Sequence, residues 1–251
     1  MTAYLDGDPP RAFAHRGWHI DELAALENSM PAFRRAYDEG FRFLETDVHA
    51  TADGQLVAFH DLSLSRVTDR GGQIAALPWA QVRQARIAGT EPVPLLADLL
   101  EEFPDARFNI DAKADSAVGP LADVIRRTGT GGRVCLGSFS DRRVASLRAL
   151  LGPDVATSMG PREVFRLLRA SRLRRPFTTP AVAAQVPVSF SRVKIVTPAF
   201  LATAHGAGVE VHVWTIDDPE EMRRLLDLGV DGLMTDRPDL LRRVLADRGD
   251  W

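Results

Sequence analysis

Eight short apolar runs recur along this chain, at residues 12–15, 41–48, 108–112, 134–137, 155–158, 184–187, 209–214 and 232–235. Each is parted from the next by a stretch with helical spacing or turn residues. Ser29-Met30-Pro31 signals a helix start and Gly40 its stop, with Phe33, Ala36 and Tyr37 on one face. Asp218-Pro219-Glu220 opens another helix, which carries Met222, Leu225 and Leu226 and stops at Gly229. Strands that alternate with helices form a mainly parallel sheet. Eight such units in 251 residues fit a closed (β/α)₈ TIM barrel better than an open doubly wound sheet. No glycine-rich phosphate fingerprint follows any strand, which also disfavours the dinucleotide-binding alternative. The chain therefore reads as one domain, 1–251.

One stretch breaks the alternation. After the second run, Ala52-Asp53-Gly54 makes a hairpin-type turn into Gln55 to Phe59, and a long interval precedes the third run. This predicts an insertion over about residues 50–105. Within it, Leu77-Pro78-Trp79 and Val93-Pro94-Leu95 each mark a helix beginning at or beside a proline. Long excursions after a barrel strand belong to the face where the strand C-termini gather, which is where barrel enzymes build their sites.

Composition excludes several classes of partner. Apolar residues at 45% and charged residues at 26% describe an ordinary globular protein, and a net charge of −3 offers no general attraction to nucleic acid or acidic membrane. The N-terminus, Met1 to Pro10, lacks the basic start and apolar run of a secretory signal, and no segment reaches the roughly 18 consecutive apolar residues of a membrane helix. Cys135 is the single cysteine, so no internal disulfide forms and a cytoplasmic location is expected. Of 31 basic residues only Lys113 and Lys194 are lysines, which singles out both, since an ammonium meets phosphate as a point charge rather than as a fork.

Chemistry concentrates in the second run. On a strand, Glu45, Asp47 and His49 share one face while Thr46 and Val48 take the other. Phe43, Glu45 and Asp47 are the inward positions, and buried carboxylates facing one space need a cation. Asp111 and Lys113 share parity on the third run and can form an interior ion pair or serve as ligand and phosphate contact. His15 stands at the C-terminal end of the first run, followed by Arg16-Gly17, and His60 ends the hairpin strand over the same face. His49 reads as structural. His19 and His205 have no evident partners and read as surface or loop residues; His212 shares an inward face with Trp214 and packs lower in the barrel. Glu27-Asn28 reads as support for the start of the first helix.

Taken in order, His15-Arg16-Gly17, Glu27-Asn28-Ser29, Glu45-x-Asp47 with Asp53-Gly54, and His60-Asp61 resemble the glycerophosphodiester phosphodiesterase family, whose fold is a phospholipase-C-like TIM barrel. The likeness extends through Asn109 to Lys113, Ser138-Phe139, Val211 to Thr215, Gly229 to Gly232 and Thr235 to Pro238. It implies hydrolysis of glycerophosphodiesters to glycerol 3-phosphate and an alcohol, with a small-molecule substrate and one divalent metal ion. The resemblance implies Glu45, Asp47 and Asp111 as metal ligands and His15 and His60 as the acid–base pair. Arg16 and Lys113 then contact phosphate, and Trp214 walls the glycerol. One position departs from the pattern, because Asp111 stands where the family usually has glutamate. An all-oxygen donor set favours Mg²⁺ or Ca²⁺ over zinc. With such an ion, Arg16 and Lys113 leave a small positive excess over the three carboxylates, the complement of a monoanionic diester. Rival readings are a lysophospholipase D or sphingomyelinase D-like lipid phosphodiesterase, with Phe59, Trp79 and the insertion as its apolar approach, and a non-catalytic barrel that binds a phosphate ligand.

Overall fold

Hydrogen-bond register closes the eight runs into a ring. In the computed structural model, which describes residues 3–251, the barrel strands are Arg11–His15, Phe43–Ala50, Arg107–Ala112, Val134–Gly137, Ala156–Thr157, Ala183–Val186, Glu210–Val213 and Gly232–Thr235. They lie side by side in chain order, and all pair in parallel. The first also pairs with the eighth, from Arg11↔Gly232 to Ala14↔Thr235, and a parallel bridge Ser158↔Ala183 joins the fifth to the sixth. The sheet thus has no free edge, as a (β/α)₈ barrel requires. Met1 and Thr2, the start of the segment read above as lacking a secretory signal, lie outside the described residues. Among those described, no helix is long and apolar enough to cross a membrane.

Local signals act where the sequence places them. Ser29 caps the helix Met30–Asp38, its hydroxyl accepting from the Ala32 amide at 3.3 Å, and Gly40 leaves it at φ 100°. Asp218 caps Pro219–Leu228 through the Glu221 amide at 3.1 Å, and Gly229 ends it in the left-handed region at φ 96°. The second strand begins at Phe43 rather than Phe41. The Phe41 ring is instead buried against Trp18 and Trp251, at centroid distances of 6.2 and 4.9 Å.

Strand alternation divides the core. Leu44, Val48, Phe108, Ile110 and Leu136 point outward and pack against Phe33, Leu121, Leu147 and Leu225 of the surrounding helices. Inside the ring, Phe13, Phe43, Cys135 and Met234 fill the lower barrel, with Tyr4 buried beneath them. His212 is fully buried and bonded to Glu210 at 2.9 Å, the low position read from the sequence. The upper inward positions are polar, and there the site lies.

The excursion after the second strand folds around a core of its own. Leu56–Ala58 runs antiparallel to Phe43–Ala50, with Val48 opposite Ala58 and Ala50 opposite Leu56. Val57, Phe59, Leu64, Ile74, Val82 and Ile87 then gather in a cluster that includes Leu26 of the loop after the first strand. Both proline signals precede helices, Trp79–Val82 and Leu96–Glu102. The second returns to the main core through Leu96, Leu99 and Leu100.

Candidate active site

Register sets the first contacts. His15 pairs with Glu45 across the first and second strands, and Asp47 pairs with Asp111 across the second and third. The inward side chains of three consecutive strands therefore meet at their C-terminal ends. Glu45, Asp47 and Asp111 are all buried. Lys113 Nζ bridges two of them, 2.7 Å from Asp47 Oδ1 and 2.8 Å from Asp111 Oδ2. Arg16 Nε stands 3.1 Å from Asp47 Oδ2 as an ion pair, off the hydrogen-bond direction. A tight turn aims Arg16: both it and Gly17 have positive φ, 56° and 86°, and a Cβ on Gly17 would lie 2.8 Å from the Ala32 carbonyl carbon. Only glycine fits there.

Charge is unevenly compensated. Burial favours the neutral form of Asp47, but Lys113 and Arg16 override it and hold the carboxyl below its ordinary range. Burial and the neighbouring Asp47 push Glu45 up to about 8. Asp111 is also raised, chiefly by burial, and its Oδ1 is buried without a hydrogen-bond partner. Among the described residues, no three His, Cys, Asp or Glu side chains converge as a ready ligand set. The donor chemistry nevertheless fits a hard divalent cation. All three groups offer oxygen, one oxygen is orphaned, and Glu45 lacks the counter-charge that Lys113 gives the other two.

Both histidines are oriented alike. His15 Nδ1 donates to Asp236 Oδ1 at 2.6 Å, and its Nε2 lies 3.7 Å from Glu45 Oε2. Burial opposes charging of His15, but Glu45 and Asp236 outweigh it and raise its pKa. His60 Nδ1 donates to Asp61 Oδ1 at 2.6 Å. The Phe59 amide bonds to the Asp47 carbonyl at 2.8 Å, and His49 Nε2 donates to the His60 carbonyl at 3.0 Å. His60 is thus held over the end of the second strand. Burial lowers the pKa of His49, whose ring bonds to main chain rather than to the carboxylates. On the far side of Lys113, the Phe139 ring lies 5.7 Å from Nζ and stacks edge-on to Trp214 with centroids 5.7 Å apart.

Comparisons with known proteins bear on the family and the fold. A model of the glycerophosphoryl diester phosphodiesterase family matches residues 15–240. The chain belongs to that family. It is 43% identical over 249 residues to a probable glycerophosphodiester phosphodiesterase 2 of Mycobacterium tuberculosis, covering 96% of this chain and 92% of that protein. A human lysophospholipase D is 26% identical over 270 residues, with 92% and 85% covered. The fold matches an Oleispira antarctica phosphodiesterase solved with the product sn-glycerol-3-phosphate, at TM-score 0.79 and 22% identity over 98% of this chain and 100% of that one. Like its family, this glycerophosphodiester phosphodiesterase is a phosphoric diester hydrolase on a TIM-like barrel.

Several residues of this phosphodiesterase differ from their sequence reading. His19 does have a partner: its Nε2 lies 3.1 Å from Asp236 Oδ1. His205 is exposed as expected but pairs with Asp231 at 2.7 Å. Glu27 and Asn28, read as support for the start of the first helix, make no side-chain hydrogen bond to it. Glu27 turns to Arg16 and Arg66, while Asn28 accepts from Thr46 at 2.8 Å and reaches Asp47 Oδ2 at 3.5 Å. Phe59 is buried in the insertion core and offers no apolar approach, while Trp79 is half-buried against that core. The carboxylates Asp61 and Asp236 were present in the motifs without a role. A carboxylate next in sequence to one histidine, and another closing the last strand beside the first, were the available signals.

Proposed function

We propose that this phosphodiesterase hydrolyses glycerophosphodiesters to glycerol 3-phosphate and an alcohol, with His15 and His60 as acid and base. The observation that carries the reading is the pair of matched imidazoles. Each has Nδ1 tied to its own carboxylate, so that Nε2 is the nitrogen left for proton transfer. A barrel that merely bound a phosphate ligand has no use for two imidazoles fixed in this way. Arg16 and Lys113 meet the phosphoryl oxygens and the charge that grows on them. Trp214 with Phe139 forms the apolar wall along the glycerol.

Glu45, Asp47 and Asp111 would hold one divalent ion, Mg²⁺ or Ca²⁺, through oxygen alone. When bound, such an ion supplies Lewis-acid polarisation of a phosphate oxygen. Glu45, whose pKa is raised by burial and Asp47, and Asp111, whose Oδ1 has no hydrogen-bond partner, would each offer it a carboxylate. The test is release of glycerol 3-phosphate from glycerophosphocholine, with Mg²⁺ or Ca²⁺ and with chelator. Metal-dependent release is expected; no release from any glycerophosphodiester under either condition would sink the reading.

A lipid substrate of the same chemical type is favoured by one observation. Leu62, Phe139 and Phe190 are 65%, 68% and 73% exposed; Leu62 and Phe139 sit on loops that follow the hairpin strand and the fourth barrel strand, and Phe190 on a two-residue strand that follows the sixth. All three rise on the C-terminal face and can meet an acyl chain. Faster turnover of lysophosphatidylcholine than of glycerophosphocholine would select this second substrate.

A further inference from the structure

Arg66 stands in the insertion, away from the strands that carry the metal carboxylates, and its guanidinium grips two carboxylates at once. Nε lies 2.5 Å from Asp61 Oδ2 and NH2 lies 3.1 Å from Asp61 Oδ1. On the other side, NH1 lies 2.9 Å from Glu27 Oε2 and NH2 lies 2.6 Å from Glu27 Oε1. Each carboxylate is therefore held by both of its oxygens, the planar fork geometry that arginine alone provides.

What lies beyond those carboxylates gives the arrangement its meaning. Asp61 holds Nδ1 of His60 at 2.6 Å, while Glu27 holds Arg16 NH1 at 3.2 Å. Arg66 thus joins the carboxylate that orients one histidine to the carboxylate that orients the phosphate-binding arginine. Among the described residues, Arg66–Glu27 is the only ion pair between residues 51–95 and the rest of the chain. His60 rides on the insertion, with its separate small core, and Arg16 rides on the barrel. Backbone pairing of Leu56–Phe59 with the second strand fixes the main chain that leads to His60, whereas a doubly bidentate guanidinium also fixes the distance and plane of the side chains beyond it.

We infer that Arg66 is a positioning residue for the reaction. It locks Asp61, and through it the His60 ring, in register with Arg16 across the seam between insertion and barrel. An isolated pair at this half-exposed position would contribute little to stability, so the role is one of alignment. The effect on turnover rests on the function proposed above, and a second measurement is free of it.

Arg66→Met, Arg66→Lys, Asp61→Asn and the double variant Arg66→Met/Asp61→Asn test the inference in the full chain with its divalent metal. Arg66→Met should lower kcat roughly 10- to 100-fold and change KM much less, as expected of misaligned groups. Lysine can satisfy one carboxylate but not fork both, so Arg66→Lys should recover part of the loss. The double variant should be little worse than Asp61→Asn, since both act through one ring. Long-range ¹H–¹⁵N NMR of the imidazoles, on metal-free protein without substrate, should show the His60 signals moving toward mixed tautomers in Arg66→Met while those of His15 stay in place. Unchanged His60 signals would overturn the inference even for a protein that turns over no diester. A kcat within about twofold of the parent, or losses that multiply fully in the double variant, would overturn it as well. Wild-type protein inactive on every diester, with the His60 signals moving as stated, would count against the proposed substrate alone.

Discussion

The barrel and the insertion each deliver a histidine backed by a carboxylate, but one carboxyl of each region, Glu45 in the barrel and Asp61 in the insertion, stands in the opposite electrostatic state. On the barrel side, Glu45 is buried beside Asp47 and pushed up to about 8. On the insertion side, Asp61 is drawn down to about 2, first by its hydrogen bonds to Arg66 and then by His60. Asp61 is compensated by Arg66 and His60 of its own region, whereas burial and Asp47 outweigh the cations around Glu45. Two separately packed regions thus meet at one site with differently compensated carboxyls.

The strongest way to break that comparison is to damage one core and watch the other. Phe59→Ala empties the centre of the insertion cluster and should cost about 3–5 kcal/mol of local stability. Hydrogen exchange should then rise across residues 51–95 while the barrel strands keep their protection. Equal loss of protection in both would mean that the two regions are one cooperative unit.

Removing either histidine asks whether the halves contribute equally to chemistry. His15→Ala and His60→Ala should each lower kcat on the order of 10²-fold or more, in steady-state assays at saturating metal. If both variants kept near-full activity, the acid–base assignment would be wrong. A large loss in one alone would place the proton work in that half.

The smallest effect concerns pH in the metal-free protein. A carboxyl whose folded pKa lies above its unfolded value binds its proton more tightly in the native state. Stability from Glu45 is then fully present below its ordinary pKa of 4.5 and declines as pH rises toward about 8. Glu45→Gln removes that titration, so its melting temperature in chelator should fall less between pH 5 and pH 8 than that of the parent. Identical slopes would show that Glu45 is not the strained group.

The same division explains what the sequence makes legible. Glu45, Asp47, Asp111, Lys113 and His15 were readable because a strand of period two fixes the face of every residue, and a parallel barrel fixes which ends gather. All eight strands were visible for that reason, though their ends shift by a residue or two where packing, as at Phe41, overrides propensity. His19, Glu27, Asn28 and Arg66 lie on turns and short helical segments, where no period sets direction. Their partners Asp236, Arg16, Asp47 and Asp61 are brought to them by tertiary folding. An ion-pair chain of that kind leaves no mark in composition or spacing, and a phenylalanine such as Phe59 looks the same in the chain whether it faces solvent or fills a core.

The ring of strands is not uniformly stitched. Phe43–Ala50 and Arg107–Ala112 share six register pairs, from Phe43↔Arg107 to Val48↔Ala112, directly beneath Glu45, Asp47 and Asp111. The fifth strand has two residues, and only the bridge Ser158↔Ala183 with its flanking amides ties it to the sixth. In an eight-membered ring that loose join lies diametrically across from the first and second strands. The wall is therefore joined most sparsely on the far side and most densely in the quadrant bearing the carboxylates.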